Sequence, residues 1–227
     1  MPYRRYGRRN YRRRTFARRP KQSKFNYYAN TAVKALRLAT YVSGLVNSEL
    51  KFKDNSAGTN VSVAVGAAGT TPILAPTAIA QGDGQSNRDG SKIRLKQLHL
   101  RGICKWNNAS SSPQELRVIC IRTKVMDGTY PTLGDILESP TDVHSFLKID
   151  ESRAWDIISD KRYMLNDDKD SVMVNVNKKM SSVVKYIGTA AAEGSMGYGN
   201  ILVYALSDSA TNVPTITLDA RVRYYDN

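Results

Sequence analysis

Long apolar runs are missing from this chain, and so are cysteines and histidines in any number. The longest uninterrupted apolar stretch is the six residues 201–206, against the roughly 18 to 20 that a helix needs to span a bilayer. A membrane-spanning helix is thereby excluded. No apolar core of a signal peptide occurs in the first 24 residues. Two cysteines, Cys104 and Cys120, are too few for a disulfide scaffold, and without a C-x-x-C partner they read as small buried hydrophobes rather than thiolate ligands. Two histidines, His99 and His144, come without H-E-x-x-H, G-x-S-x-G or Walker patterns. With only scattered carboxylates besides, no catalytic constellation can be assembled, and the expectation is a protein that is not an enzyme and has no small-molecule substrate.

Acid is missing from one place in particular. Residues 1–24 hold nine Arg and two Lys with no Asp or Glu, while the other 203 residues hold 23 basic and 20 acidic side chains. The net charge of +14 is therefore concentrated in an arm of +11 attached to a body near neutrality. Such an arm repels itself and has little to bury, so alone it is expected to be disordered. Its natural partner is a polyanion, because each neutralised phosphate releases counterions. Arg4, Arg5, Arg8, Arg9, Arg12, Arg13, Arg14, Arg18, Arg19, Lys21 and Lys24 are the expected phosphate contacts. Tyr3, Tyr6, Tyr11 and Phe16, interleaved among the Arg pairs, add stacking surfaces that suit single strands. A nuclear localisation signal is a further reading of the same segment.

Three segments follow: a basic arm over 1–27, an amphipathic helix over 28–47 and a β body over 48–227. In the helix, Tyr28, Ala32, Ala35, Leu36, Ala39, Val42, Leu45 and Val46 recur at three- and four-residue spacing. This alanine-rich stripe is narrow enough either to bundle with copies from other subunits or to pack on its own domain. Beyond it, Ile216, Leu218, Ala220, Val222 and Tyr224 alternate with polar residues, as do Val172, Val174 and Val176, the period of half-buried strands. Segments 115–125 and 201–206 are apolar on both faces, as strands covered on two sides require. In 92–106 the buried phase changes midway, from Ile93 and Leu95 to Leu98, Leu100, Cys104 and Trp106, which predicts a bulge near Lys96 and Gln97. Strands are also expected at 48–53, 61–65, 73–79, 162–165 and 182–187, and a short helix at 132–138 after a Thr132 cap. Asp167, Asp168 and Asp170 read as a solvated hairpin turn. About ten short strands with long connections point to an all-β, eight-stranded jelly roll of two packed antiparallel sheets.

Several blocks, in order, carry a resemblance. Ala80-Gln-Gly-Asp-Gly-Gln-Ser-Asn-Arg88-Asp-Gly90-Ser-Lys-Ile-Arg-Leu-Lys-Gln-Leu98-His-Leu-Arg101-Gly102 comes first. Arg117-Val-Ile-Cys-Ile-Arg122, Gly128-Thr-Tyr-Pro131-Thr-Leu-Gly-Asp-Ile-Leu137, Lys161-Arg-Tyr-Met-Leu165 and Gly197-Tyr-Gly-Asn-Ile-Leu-Val203 follow. Together they resemble single-jelly-roll coat proteins of the satellite tobacco necrosis virus type. They are also similar to capsid proteins of circular Rep-encoding single-stranded DNA (CRESS DNA) viruses, which often begin with a Tyr-bearing Arg arm. The resemblance implies self-assembly into a T=1 icosahedral shell of sixty copies, a homo-oligomer with arm and helix turned inward onto a single-stranded genome. It favours DNA over RNA, a virion location and assembly in the host nucleus. The alternatives are a satellite-type single-stranded RNA virus coat protein with intersubunit calcium and a non-viral RNA-binding protein with a basic tail.

In the satellite-virus proteins the resemblance implies calcium ions at subunit interfaces. Carried over by position, Glu49 and Asp226 would supply carboxylates, Asp89 and Lys92 backbone carbonyls, and Asp83 a ligand on the threefold axis. In a DNA-virus relative without calcium the same positions would be ordinary hydrogen-bonding or turn residues.

Overall fold

In a computed structural model of the protein, the residues described are 31–39, 49–65, 71–125 and 128–226. The chain divides into two units, Met1–Val46 and Asn47–Asn227. Within the first, residues 31–39 form helix α1, each of them exposed. The remainder of the helix expected over 28–47 lies outside the described residues, as does the whole of the basic arm.

The second unit is β throughout. Its strands are β1 Glu49–Ser56, β2 Val61–Ser62, β3 Lys92–Lys105, β4 Gln114–Thr123, β5 Trp155–Leu165, β6 Ser171–Lys185, β7 Ile201–Ser207 and β8 Thr215–Asp226, with one short helix, α2 Leu133–Ile136. One sheet has the order β1-β8-β3-β6, with β2 also on β8, and the other β5-β4-β7. Every pairing of named strands is antiparallel. A single bridge from Leu74 to Val203 adds a fourth position beside β7.

The pairings are nested. First strand meets last in β1·β8, Leu74 meets β7, β3 meets β6, and β4 meets β5 at the centre. A chain folded back on itself and then rolled gives this order, and the fold is a jelly roll. The two sheets close over one core: Ile93, Leu95, Leu98, Leu100 and Cys104 of β3 and Ile216 to Tyr224 in alternation on β8 meet Leu116, Val118 and Cys120 of β4 and Val203 and Ala205 of β7. A second cluster lies on the far side of the smaller sheet. There Ile119 and Ile121 of β4 and Leu202, Tyr204 and Leu206 of β7 are covered by Leu133, Ile136, Leu137 and Val143. In the smaller sheet β4 and β7 are thus buried on both faces, which is why 115–123 and 201–206 are apolar in both phases, while the edge strand β5 leaves Lys161, Arg162 and Met164 exposed.

The bulge predicted near Lys96 is present, as a register shift between Leu95 and Gln97 in both pairings of β3. The short helix starts after Thr132, whose backbone N–H donates to Asp135 Oδ2 at 2.7 Å, half of a capping box. The expected strand at 73–79 shrinks to the Leu74 bridge, because Pro72 and Pro76 remove donors from either side of it. The strands expected separately at 171–177 and 182–187 are one 15-residue strand, β6. The segment 162–165 is the end of β5.

Candidate nucleic-acid interface

The arm residues Arg4 to Lys24 and the aromatics Tyr3, Tyr6, Tyr11 and Phe16 lie outside the described residues. The body carries a basic surface of its own. In the larger sheet one face packs into the core, and the register sets which side chains share the other. Opposite one another on that outer face stand Arg94 and Tyr225, Gln97 and Arg223, His99 and Arg221, Arg101 and Asn175, and Lys92 and Lys185. Lys96 at the bulge, Lys105 and Lys179 complete the set, and all of these Lys and Arg residues are exposed. Against nine cations the face holds two acids, Asp54 and Asp219.

Aromatic rings sit among these charges. Lys96 Nζ donates to the Tyr225 hydroxyl at 2.6 Å and lies 4.9 Å from that ring's centre, and the Arg221 guanidinium lies 5.3 Å from the Phe52 ring. Arg221 also grips Asp54 in a two-point contact at 2.6 Å for each nitrogen. That hydrogen-bonded guanidinium holds the Asp54 carboxyl below its ordinary value, against the opposing effect of desolvation. A groove of about 320 Å³ lined by Asp54, Asn55, Ser56, His99, Arg101, Asp219 and Arg221 runs between them. Exposed cations with adjacent ring faces can neutralise phosphates and stack bases without reading sequence. The nucleic-acid contacts expected from the sequence all lie in the arm, and this cationic face was not among them. Its signal was present in the polar phase of 92–105 and 219–225, which holds Lys92, Arg94, Lys96, Arg101, Lys105, Arg221 and Arg223.

Behind the core face of that sheet lies a second charged cluster. Lys51, 4 % exposed, donates from Nζ to Asp89 Oδ1 at 2.9 Å and to Asp226 Oδ2 at 3.1 Å, with Glu49 Oε2 at 3.6 Å. Burial by itself lowers the pKa of the Lys51 ammonium, but the bonds to Asp89 and Asp226 outweigh it and hold the group above its ordinary value. The Asp89 N–H donates to Asp226 Oδ2 at 2.7 Å, and the Asp89 carbonyl accepts from Gln81 Nε2 at 2.7 Å.

Of the five residues carried over as calcium ligands, Glu49, Asp89 and Asp226 therefore meet, and they meet on an ammonium. Asp83 is an exposed turn residue, and Lys92 stands on the outer face opposite Lys185. A calcium ion needs six to eight oxygens at roughly 2.3–2.6 Å. Lys51 Nζ stands among the oxygens it would use, and the Asp89 carbonyl already has a donor. Among the described residues no group of three or more His, Cys, Asp or Glu is placed to hold a metal. The donor set as folded fits a lysine and does not fit calcium.

The remaining singled-out residues have structural surroundings. Cys104 and Cys120 are buried and free, with burial pushing each thiol up to about 12. His144 Nε2 lies 2.9 Å from Glu115 Oε2 and its Nδ1 3.1 Å from Arg162 Nη1, a surface bridge between two chain segments. Asp167, Asp168 and Asp170 are exposed at the turn closed by Asn166 and Lys169. Arg88, within the first resembling block, is fully buried. It donates to the carbonyls of Ile79, Gly90 and Gly188, and its guanidinium lies 3.9 Å from the centre of the Tyr186 ring. It holds the loop before β3 against the body.

No curated protein matches the chain at a significant level. Matched over residues 29–227 by the family model of the satellite tobacco necrosis virus coat protein, this nested β roll with one bare cationic face belongs to that family and is a structural coat protein of a virion.

Proposed function

We propose that sixty copies assemble into a T=1 shell around a single-stranded genome, with the arm over 1–27 and the outer face of the larger sheet both turned toward it. The observation that carries this reading is the contrast between the two sheets. In one, β4 and β7 are covered on both sides by apolar packing, while the other leaves a cationic, aromatic-bearing face open along β3 and β8. Binding by charge neutralisation fits a protein that must enclose any part of its genome, and little base preference follows. Sixty arms of +11 supply on the order of 660 positive charges to offset phosphates. The helix over 28–47 serves to cluster with copies from neighbouring subunits.

The Tyr-bearing style of the arm supports DNA over RNA as the cargo and the host nucleus as the place of assembly. Electron microscopy of the purified protein, with the ratio of nucleic-acid to protein absorbance, tests the reading. Closed uniform particles containing nucleic acid are expected, and the extracted strand should be degraded by deoxyribonuclease. Deleting residues 1–24 should empty the particles while leaving the jelly roll folded. A monomer at all salt and nucleic-acid concentrations would overturn the proposal.

A further inference from the structure

Lys51 occupies an unusual place. β1 is an edge strand whose alternation turns Lys51 toward the core face, opposite Tyr224, and leaves Leu50 and Phe52 outward at 52 % and 47 % exposure. A lysine this buried persists only if its ammonium is matched. The matching carboxylates come from three distant parts of the chain: Glu49 opens β1, Asp89 precedes β3 and Asp226 ends β8. Glu49 and Asp226 are the two carboxylates to which the family resemblance assigns a divalent cation; here the Asp89 side chain joins them, and the ammonium stands among all three. Without it the site would be strongly acidic. Asp226 Oδ1 is buried with no hydrogen-bond partner, and the Glu49 and Asp89 side chains are 65 % and 57 % exposed.

We propose that Lys51 is this chain's built-in replacement for the divalent cation. It ties the first strand, the loop before β3 and the last strand together, and it makes the protein's integrity independent of calcium. The inference rests on the coat-protein reading only for the comparison with a metal-bearing relative, since the ammonium acts within one subunit.

The test is thermal unfolding of the purified full-length protein in chelator and in calcium chloride, with calcium titration calorimetry on the same sample. Wild-type protein should melt at the same temperature in both and give no binding heat. Lys51→Ala should melt roughly 5–10 °C lower in chelator, as expected for a broken buried ion pair, and recover most of that loss in calcium. Lys51→Arg should stay insensitive to calcium. A wild-type melting temperature that rises with calcium, wild-type binding heat, or a Lys51→Ala loss that calcium leaves untouched would overturn the proposal. Should Lys51→Ala fail to fold, the two wild-type measurements still decide. Microscopy of the same sample reports assembly separately, so failure to form shells counts against the proposed function and leaves the melting comparison intact.

Discussion

Arg117 on β4 holds Asp160 on β5 in a two-point grip, Nε to Oδ1 at 2.8 Å and Nη2 to Oδ2 at 2.6 Å, while its Nη1 donates to the carbonyls of Val143 and Ser145 at 3.0 and 2.7 Å. One buried guanidinium thus joins two strands of the smaller sheet to the segment that covers them. Replacing it by Met should cost roughly 3–5 kcal/mol, since the carboxylate and two carbonyls lose their donor together. Arg117→Lys should rescue little, because a single ammonium cannot reproduce the planar fork. Chemical denaturation measures the loss, and proteolysis within 124–154 should accelerate in step with it.

The basic face is separable from the fold. Arg94 and Arg101 are exposed on the outer face of β3, so the double change to Ala should leave the melting temperature nearly unmoved. Nucleic-acid content of purified particles should fall, and the slope of log affinity against log salt for a single strand should shrink by about 1.4, two phosphates' worth at roughly 0.7 each. An unchanged slope would remove the face from the interface.

Gly102 shows how closely β3 and β8 approach. A Cβ there would lie 2.1 Å from the Thr217 carbonyl oxygen and 2.9 Å from Leu218 Cα, both backbone atoms that cannot move aside singly. Gly102→Ala should therefore destabilise by more than about 3 kcal/mol, read as loss of soluble protein or a lowered denaturation midpoint.

Alkali should weaken the fold in a predictable window. Burial pushes the Cys104 and Cys120 thiols from 9.0 to about 12, and Tyr224 from 10.0 to about 12, where burial again leads and the negative charge of Asp226 adds to it. Each folded value lies above the unfolded one, so the stability they contribute is complete below about pH 9 and fades as pH climbs toward 12. Each thiol adds a slope of up to about 1.4 kcal/mol per pH unit in that window. Cys104→Ala with Cys120→Ala should flatten the fall of melting temperature between about pH 9 and 11, and the native thiols should resist disulfide reagents until the chain unfolds.

Much of the architecture was legible because it is local. Alternation in 215–225 and 171–177 marked β8 and β6, the phase change at Lys96 marked the bulge, and the Thr132 cap marked α2. The two-sided apolar runs of β4 and β7 announced strands covered on both faces. What covered them could not be read, because the segment around α2 and Val143 reaches the smaller sheet through Arg117, whose four hydrogen bonds join residues 26 to 43 positions away. Nor could the role of Arg88, whose acceptors on Ile79, Gly90 and Gly188 are set by how three loops meet.

By itself the sequence determined the β class, the strand periods and the concentration of positive charge in the first 24 residues, since composition and periodicity belong to the chain before it folds. The tertiary structure alone decided that Arg94, Arg101 and Arg223 share one bare face, because register across β3, β8 and β6 sets the neighbours. It alone turned Lys51 inward and Leu50 and Phe52 outward, reversing what hydrophobicity in β1 suggests. The reason is electrostatic: closing β1 against β8 brings Glu49 and Asp226 opposite one another, with Asp89 delivered from the loop before β3, and the carboxylates gathered there are matched by the Lys51 ammonium from the inward face of β1.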